Sequence, residues 1–233
     1  MRTFGILLVS LSSVVCFSCK EEEVGNSREV DPETIFFDYK IWGEEGRDFV
    51  TCMFQYRYGG DDGTTLVLEG PSKVELDGEE LQADSAKFTG AYYEVQKPLQ
   101  EFSGQHTISF TGLNKKQYKE SFHFTPFTLT TDLPETVKQD SFSLYLQNVQ
   151  PGTTIRYVLT DTSFSTDDIN EVQKMSSQAR IIFTKAEMAK LKPGPITLLL
   201  SLEEGRPLKN ATKEGGRISI SYSLRREFEL TAQ

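Results

Sequence analysis

The chain has 233 residues, a formal net charge of -9, two His, three Cys and one Trp. Its 37% hydrophobic and 25% charged residues are an ordinary globular composition, which excludes wholesale disorder and a polytopic membrane protein. An acidic balance of this size repels phosphate groups, so we expect no binding to nucleic acid or, through basic patches, to anionic lipid. The length allows one or two domains.

Residues 1–18 predict an export signal. Arg2 precedes an apolar stretch that is too short to span a bilayer and that ends in a small residue followed by Cys. Ser18 and Cys19 resemble the lipobox of bacterial lipoproteins that are cut by the type II signal peptidase. This resemblance implies cleavage after residue 18 and a lipid on Cys19. Cys16 is the weaker alternative, because the residue before it is bulky.

The Lys-Glu-Glu-Glu run after Cys19 is similar to the acidic tag that exports lipoproteins to the outer face of the outer membrane in some glycan-foraging Gram-negative bacteria. Acidic runs are also typical of solvated linkers. Residues 19–30 lack apolar periodicity, which predicts a flexible tether with a mean span of roughly 19 Å. We therefore expect a surface-exposed lipoprotein that binds the outer-membrane bilayer through its acylated Cys19.

Beyond the tether, strand-like alternation is broken by turns about every 8 to 12 positions, which is typical of an all-β sandwich. The first set of predicted strands comprises residues 35–41, 50–56, 92–96, 107–111 and 118–124. The second set comprises residues 142–146, 154–159, 180–183, 196–202 and 218–230. Helix signals are confined to a short turn capped by Ser165 and to residues 185–191, and neither is long enough to form a layer of the fold.

An internal echo indicates two units of similar build. A Gly-x-x-Thr-apolar-x-apolar pattern begins at Gly104 and recurs at Gly194. Together with the strand count and turn spacing, this echo resembles tandem immunoglobulin or fibronectin type III modules, although the Cys-Trp-Cys arrangement of true immunoglobulin domains is absent. The resemblance implies two antiparallel β-sandwich domains, at residues 31–126 and 127–233.

The two histidines are not expected to form a site together. If Ile108 and Phe110 share the core face with Phe122, hairpin parity points His106 toward the core and His123 outward. A catalytic or zinc site would need both imidazoles in one place or joined by carboxylates. The sequence therefore predicts one partly buried His and one surface His.

The remaining thiol and the acidic turns also predict structural roles. Cys52 alternates with Val50 and Phe54, which places it in the core as a small apolar residue. The acidic turns, at residues 61–62 and 161–168, do not match the spacing of an EF-hand calcium loop, and Asp is common in turns for local reasons. Calcium binding by these turns stays open. We predict no catalytic residue, no metal ligand and no cofactor, and we therefore expect that the protein is not an enzyme.

Three hypotheses of function follow from the sequence. The leading one is a non-catalytic cell-surface lipoprotein that presents two Ig-like domains for protein binding or as a spacer, with an apolar patch or a groove between the domains. The second is a glycan-binding accessory protein for polysaccharide capture, with outward aromatics stacking on sugar rings. Its candidate residues are Trp42, Tyr145 and Tyr93, the last of which must face opposite to Tyr92. The third is a hydrolase with an unrecognised carboxylate site. The expected partner is an envelope protein or an extracellular glycan.

Overall fold

The computed structural model describes residues 24–86, 89–130, 132–163 and 167–232. The signal segment, Cys19 and the cap predicted at Ser165 lie outside these residues. Strands dominate the described part, so the predicted all-β class is confirmed. The described residues hold no helix with the length and hydropathy needed to cross a bilayer.

Eighteen strands, one short α-helix and two single-turn 3-10 helices, Ser27–Glu29 and Pro32–Thr34, form the described chain. The strands of the first half are β1 (Gly25–Asn26), β2 (Ile35–Glu44), β3 (Phe49–Tyr58), β4 (Thr64–Val67), β5 (Lys73–Leu76), β6 (Glu79–Glu80), β7 (Ala83–Ala86), β8 (Gly90–Pro98), β9 (Gly104–Thr111) and β10 (Gln117–Phe124). Those of the second half are β11 (Thr128–Leu129), β12 (Thr136–Lys138), β13 (Phe142–Gln147), β14 (Thr154–Asp161), β15 (Ile169–Lys174), β16 (Arg180–Phe183), β17 (Gly194–Pro207) and β18 (Gly216–Thr231). Helix α1 (Lys185–Met188) lies between β16 and β17, inside the segment where the sequence predicts a short helix.

The first sandwich packs the four-stranded sheet β10-β9-β5-β6 against β8, β3 and β2 of a larger sheet. Alternation along β2 and β3 directs every second side chain into the space between the sheets. The ring centroids of Phe37 and Tyr56 lie 4.8 and 4.7 Å from that of Phe110 on the facing sheet. Aromatic side chains therefore fill this core.

The second sandwich packs the three-stranded sheet β11-β13-β16 against β17, β14 and β15 of the same larger sheet. The ring of Phe183 contacts Tyr157 of the larger sheet at 4.9 Å and stacks on Phe142 at 4.4 Å. A capping box at Thr184 and Glu187 begins α1, and the Tyr157 hydroxyl donates to the Glu187 carboxylate at 2.6 Å. The short helix is thus fastened to the inner face of β14.

The larger sheet, called the shared sheet below, is continuous through both sandwiches because β17 and β18 are long enough to contribute to each of them. The first part of β18, Gly216–Ser223, pairs in parallel with β2, and its end pairs in parallel with β12. β17 pairs with β18 along its whole length and with β14 from Ile196 to Leu202. β17 and β18 form a hairpin that pairs with strands of both halves. The predicted domain boundary near residue 126 therefore stays a prediction.

The tip of the β17–β18 hairpin is anchored in the first sandwich. The Thr212 hydroxyl donates to the Ile35 carbonyl at 2.6 Å, and the Arg206 guanidinium donates to the Glu120 carboxylate of β10 at 2.6 Å. At the junction, the Tyr222 ring packs edge-on against Phe124 and Phe127. Side chains from both halves therefore hold the hairpin in place.

The tether predicted for residues 19–30 needs a correction at its C-terminal side. Gly25–Asn26 pairs in parallel with β4, and Ser27 is fully buried. The Ser27 hydroxyl accepts the Glu69 backbone N–H at 3.0 Å, while the Arg28 guanidinium donates to the Gly70 carbonyl at 2.8 Å. Residues 25–28 are held against the first sandwich by hydrogen bonds of polar side chains and not by apolar contacts. Hydrophobic periodicity in the sequence therefore does not reveal that this segment is ordered.

Candidate functional site

A groove of about 680 Å³ separates the two sandwiches on the inner side of the shared sheet. Its floor comes from β17 and β18, through Leu202, Glu204 and Tyr222. One wall is the end of β10 from the first sandwich, and the other is the turn of residues 148–154 from the second. The groove exists because the four-stranded and the three-stranded sheets are separate at the junction, whereas the larger sheet continues through it.

One side of the groove follows a strand edge that carries no partner strand among the described residues. β14 pairs with β17 only as far as Leu202, whereas β18 continues along β17 to Pro207. Backbone N–H and C=O groups of alternate residues point to opposite edges of a strand. The stretch from Glu203 to Pro207 therefore presents hydrogen-bonding groups toward the groove, a surface to which an extended peptide can add as a further strand.

Acidic side chains lie along this edge. Glu203 is exposed, and Glu204 lies 3.3 Å from the Arg206 guanidinium, which is itself held by the buried Glu120. His123 contributes an exposed imidazole to the opposite wall. The charges at the free edge of β17 therefore favour a ligand with basic groups.

A second depression, of about 460 Å³, lies on the outer face of the shared sheet and includes one predicted aromatic residue. Trp42 is 38% exposed near the end of β2. Phe49, which is 49% exposed at the start of β3, lines the same depression. Phe49 was not among the predicted stacking residues. Its side chain alternates with those of the buried Val50 and Cys52, and this phase is the sequence signal for an outward side chain.

The other two predicted stacking residues do not join Trp42. Tyr93 is 3% exposed, and its hydroxyl accepts the Leu68 backbone N–H at 2.6 Å, so its inward orientation corrects its selection as a stacking residue. Tyr145 is 41% exposed, but it lies on the outer face of β13, with the Arg180 guanidinium 5.9 Å from its ring centroid. β13 belongs to the sheet that faces the shared one, so Tyr145 and Trp42 lie on opposite sides of the molecule.

The histidine parity predicted from sequence is confirmed. His106 pairs with Phe122 across the β9–β10 hairpin on the core side, and His123 is exposed. The His106 Nδ1 lies 2.7 Å from the Asp77 carboxylate, and its Nε2 lies 3.0 Å from the Phe102 carbonyl oxygen. The imidazole also stacks on the Phe102 ring at 3.8 Å. His106 and Asp77 therefore join the turn that contains Asp77 to β9, and neither ring nitrogen of His106 is left for a substrate.

Cys52 and the acidic turns also have structural contacts. Cys52 is fully buried, as predicted. The Asp161 carboxylate accepts the backbone N–H groups of Ser163 and Lys192, and the Asp61 carboxylate lies 3.5 Å from the Arg217 guanidinium. The described residues contain no group of three or more His, Cys, Asp or Glu side chains placed to hold a metal ion.

No protein-family model matches the chain, and no curated protein matches it. Among solved structures, a tetra-tandem repeat from the extending region of a large adhesion protein aligns at 12% identity and a TM-score of 0.26, over 83% of this chain and 49% of that one. The chain thus spans about half of that structure. A structure from a 1.5-MDa bacterial ice-binding adhesin aligns at 10% identity and a TM-score of 0.26, over 87% of this chain and 66% of that one.

A third solved structure, of the protein SGBP-B from a mixed-linkage glucan utilization locus of Bacteroides ovatus in complex with a mixed-linkage heptasaccharide, aligns at 10% identity and a TM-score of 0.21. It covers 90% of this chain and 66% of that one. Similarity at these TM-scores transfers no function.

Proposed function

We propose that this protein is a non-catalytic, cell-surface scaffold that binds an extended, basic segment of another envelope protein in the groove between its sandwiches. The observation that carries the proposal is the free edge of β17 from Glu203 to Pro207, which runs alongside the groove. An extended peptide gains main-chain hydrogen bonds at such an edge, and its alternate side chains enter the groove.

Charge and rigidity support this occupant. Glu203 and Glu204 lie on the free edge, and the whole chain carries a net charge of -9, so basic partners are attracted and acidic ones repelled. The groove is preformed, because β17 and β18 join its two walls in one sheet. A preformed groove avoids the entropy cost of ordering a binding site when the ligand arrives.

The proposal includes a lipid anchor. Cleavage after residue 18 and a lipid on Cys19 would hold the scaffold at the outer membrane, with the groove available to neighbouring envelope proteins. Mass spectrometry of the mature N-terminus tests this part. A diacylglycerol-modified Cys19 is expected, and an unmodified chain that starts elsewhere would contradict the anchor.

Site-specific photocrosslinking in cells tests the groove. We expect a photoreactive residue at Thr154, which lines the groove, to form one discrete adduct with an envelope protein. The same residue at Ile182, which is exposed on β16, is the control and is expected to form none. Adducts from both positions, or from neither, would contradict binding in the groove.

Charge reversal tests the chemistry of the partner. The double variant Glu203→Lys, Glu204→Lys should lower the yield of the Thr154 adduct several-fold. The matched control is Glu229→Lys, an exposed carboxylate at the other end of the same hairpin. An unchanged yield in the double variant would show that the partner does not depend on acidic groups.

A further inference from the structure

We infer that the outer face of the shared sheet carries a second, independent binding site, in which Trp42 and Phe49 form a stacking platform for an internal stretch of a neutral polysaccharide. This site lies on the face of β2 and β3 that points away from the groove. It therefore does not depend on the function proposed above. The placement of the two rings, the polar groups around them and the local charge support this assignment.

The register of the β2–β3 hairpin brings the two aromatic side chains together. Trp42 pairs with Thr51, and Phe49 lies two residues before Thr51, hence on the same face of the sheet. Diagonal neighbours of this kind are about 7–8 Å apart at the backbone, within reach of aromatic side chains. Both rings are more than one third exposed, so each presents apolar surface that a ligand can cover.

Hydrogen-bonding groups flank the rings. Gln96 pairs with Thr51 across β3 and β8, which places an amide and a hydroxyl in the same depression as the rings. Glu44, at the end of β2, and Arg47 and Asp48, in the turn that follows, also line it. A pyranose ring has an apolar C–H face and a rim of hydroxyl groups. An apolar platform with polar groups at its border matches both features.

The turn beside the platform is fixed before any ligand binds. The Glu45 carboxylate is paired with the Arg226 guanidinium of β18, and the Glu45 backbone N–H donates to the Ser223 carbonyl at 2.9 Å. At the other end of the turn, the Leu99 backbone N–H donates to the Asp48 carbonyl at 2.8 Å. Trp42 and Phe49 therefore lie on two paired strands whose connecting turn is itself anchored, which lowers the entropy cost of binding.

Charge selects a neutral ligand. The depression has two carboxylates, Glu44 and Asp48, against one guanidinium, Arg47, which lies 3.7 Å from Glu44. The chain as a whole carries -9, so an acidic polysaccharide is repelled both locally and at a distance. A sheet face and one turn bound the depression, so it receives a segment within a polysaccharide chain rather than enclosing a terminal sugar.

The test uses native affinity electrophoresis of the full chain in gels that contain one polysaccharide each: barley β-glucan, laminarin, uronate-free arabinoxylan, galactomannan, dextran, alginate or polygalacturonate. At least one of the five neutral polymers should retard the protein, and the two acidic polymers should not. Trp42 is the only Trp in the chain, so its fluorescence should change saturably when oligosaccharides of the retarding polymer are added.

Variants identify the platform. Trp42→Ala and Phe49→Ala should each weaken retardation by about tenfold or more, because each removes one stacking surface. The matched control is Tyr145→Ala, an equally exposed aromatic on the opposite side of the molecule, which should behave as the unchanged protein. Circular dichroism verifies that each variant is folded, and Phe49→Ala keeps the fluorescent reporter.

Several outcomes would overturn the inference: no retardation by any neutral polymer, retardation by the acidic polymers alone, or an equal loss of retardation in Tyr145→Ala. Loss of the Thr154 photocrosslink in Trp42→Ala or Phe49→Ala, without retardation by any polysaccharide, would instead assign the rings to protein binding. Failure of the groove experiment alone leaves retardation by polysaccharide unaffected, so the two proposals fail separately.

Discussion

Cys52 illustrates how burial decides the chemistry of a single residue. It lies within β3, paired with Ile41 on one side and Val95 on the other, and its side chain is fully buried. Burial raises the pKa of the Cys52 thiol to about 12, because the low-dielectric interior disfavours the thiolate. A thiol held in its neutral form is neither a good nucleophile nor a metal ligand.

The reactivity of this thiol is directly testable. In a Cys16→Ser, Cys19→Ser variant, we expect Cys52 to be the only thiol and to react with Ellman's reagent at pH 8 only as fast as the protein unfolds. Adding denaturant should release one equivalent of reactive thiol at once. Complete labelling of the native protein within seconds would show that Cys52 is accessible and that its environment is not the core described here.

The β17–β18 hairpin is the element that makes the two halves one structure. Glu120, which is 2% exposed on the core side of β10, accepts from the Arg206 guanidinium at 2.6 Å and from the Lys209 backbone N–H at 2.9 Å. Arg206 also donates to the Ser121 carbonyl at 3.1 Å. These contacts join residues more than 80 positions apart in the chain. They hold β10, at the edge of the four-stranded sheet, against the tip of the hairpin.

Removing one partner of this ion pair should destabilise the protein. Arg206→Ala leaves the Glu120 carboxylate buried without its guanidinium, and we expect a loss of about 3 kcal/mol in the free energy of unfolding. Urea denaturation measures the change. The control Arg225→Ala removes an exposed pair with Glu227 and should cost less than about 1 kcal/mol. Equal losses in the two variants would mean that the Arg206 pair does not anchor the hairpin.

On the scale of the whole molecule, the shared sheet predicts cooperative behaviour. The strands of the first sandwich depend on β18, because β2 pairs with it from Phe37 to Glu44 and would otherwise end the sheet with an open edge. The strands of the second sandwich depend on the same hairpin through β14 and β12. Neither half has a complete large sheet without the other.

Calorimetry distinguishes a shared sheet from two independent modules. We expect a single unfolding transition, with equal calorimetric and van't Hoff enthalpies. A fragment of residues 24–126 lacks β17 and β18, so we expect it to show no cooperative transition. Two separate transitions in the intact chain, or a folded fragment with the circular dichroism of a β-sandwich, would show that the halves are independent.

The sequence by itself determined which side chains face inward along most strands. Alternation placed Cys52 in the core, His106 on the inner face and His123 outside, and the structure confirms all three. Phe49 directly precedes the predicted strand 50–56, and the same alternation, extended by that one position, predicts that its side chain faces outward. These predictions succeed because the direction of a side chain in a strand depends only on its position in the local backbone repeat.

Only the tertiary structure decided which strands pair across the two halves. The parallel pairing of β2 with β18 joins residues at opposite ends of the chain, and it creates the shared sheet, the groove and the free edge of β17. The tertiary structure also determined that Tyr93 rather than Tyr92 is buried and that Ser27 docks beside Glu69. Such pairings depend on which distant surfaces bury together, and no local pattern of residues encodes that choice.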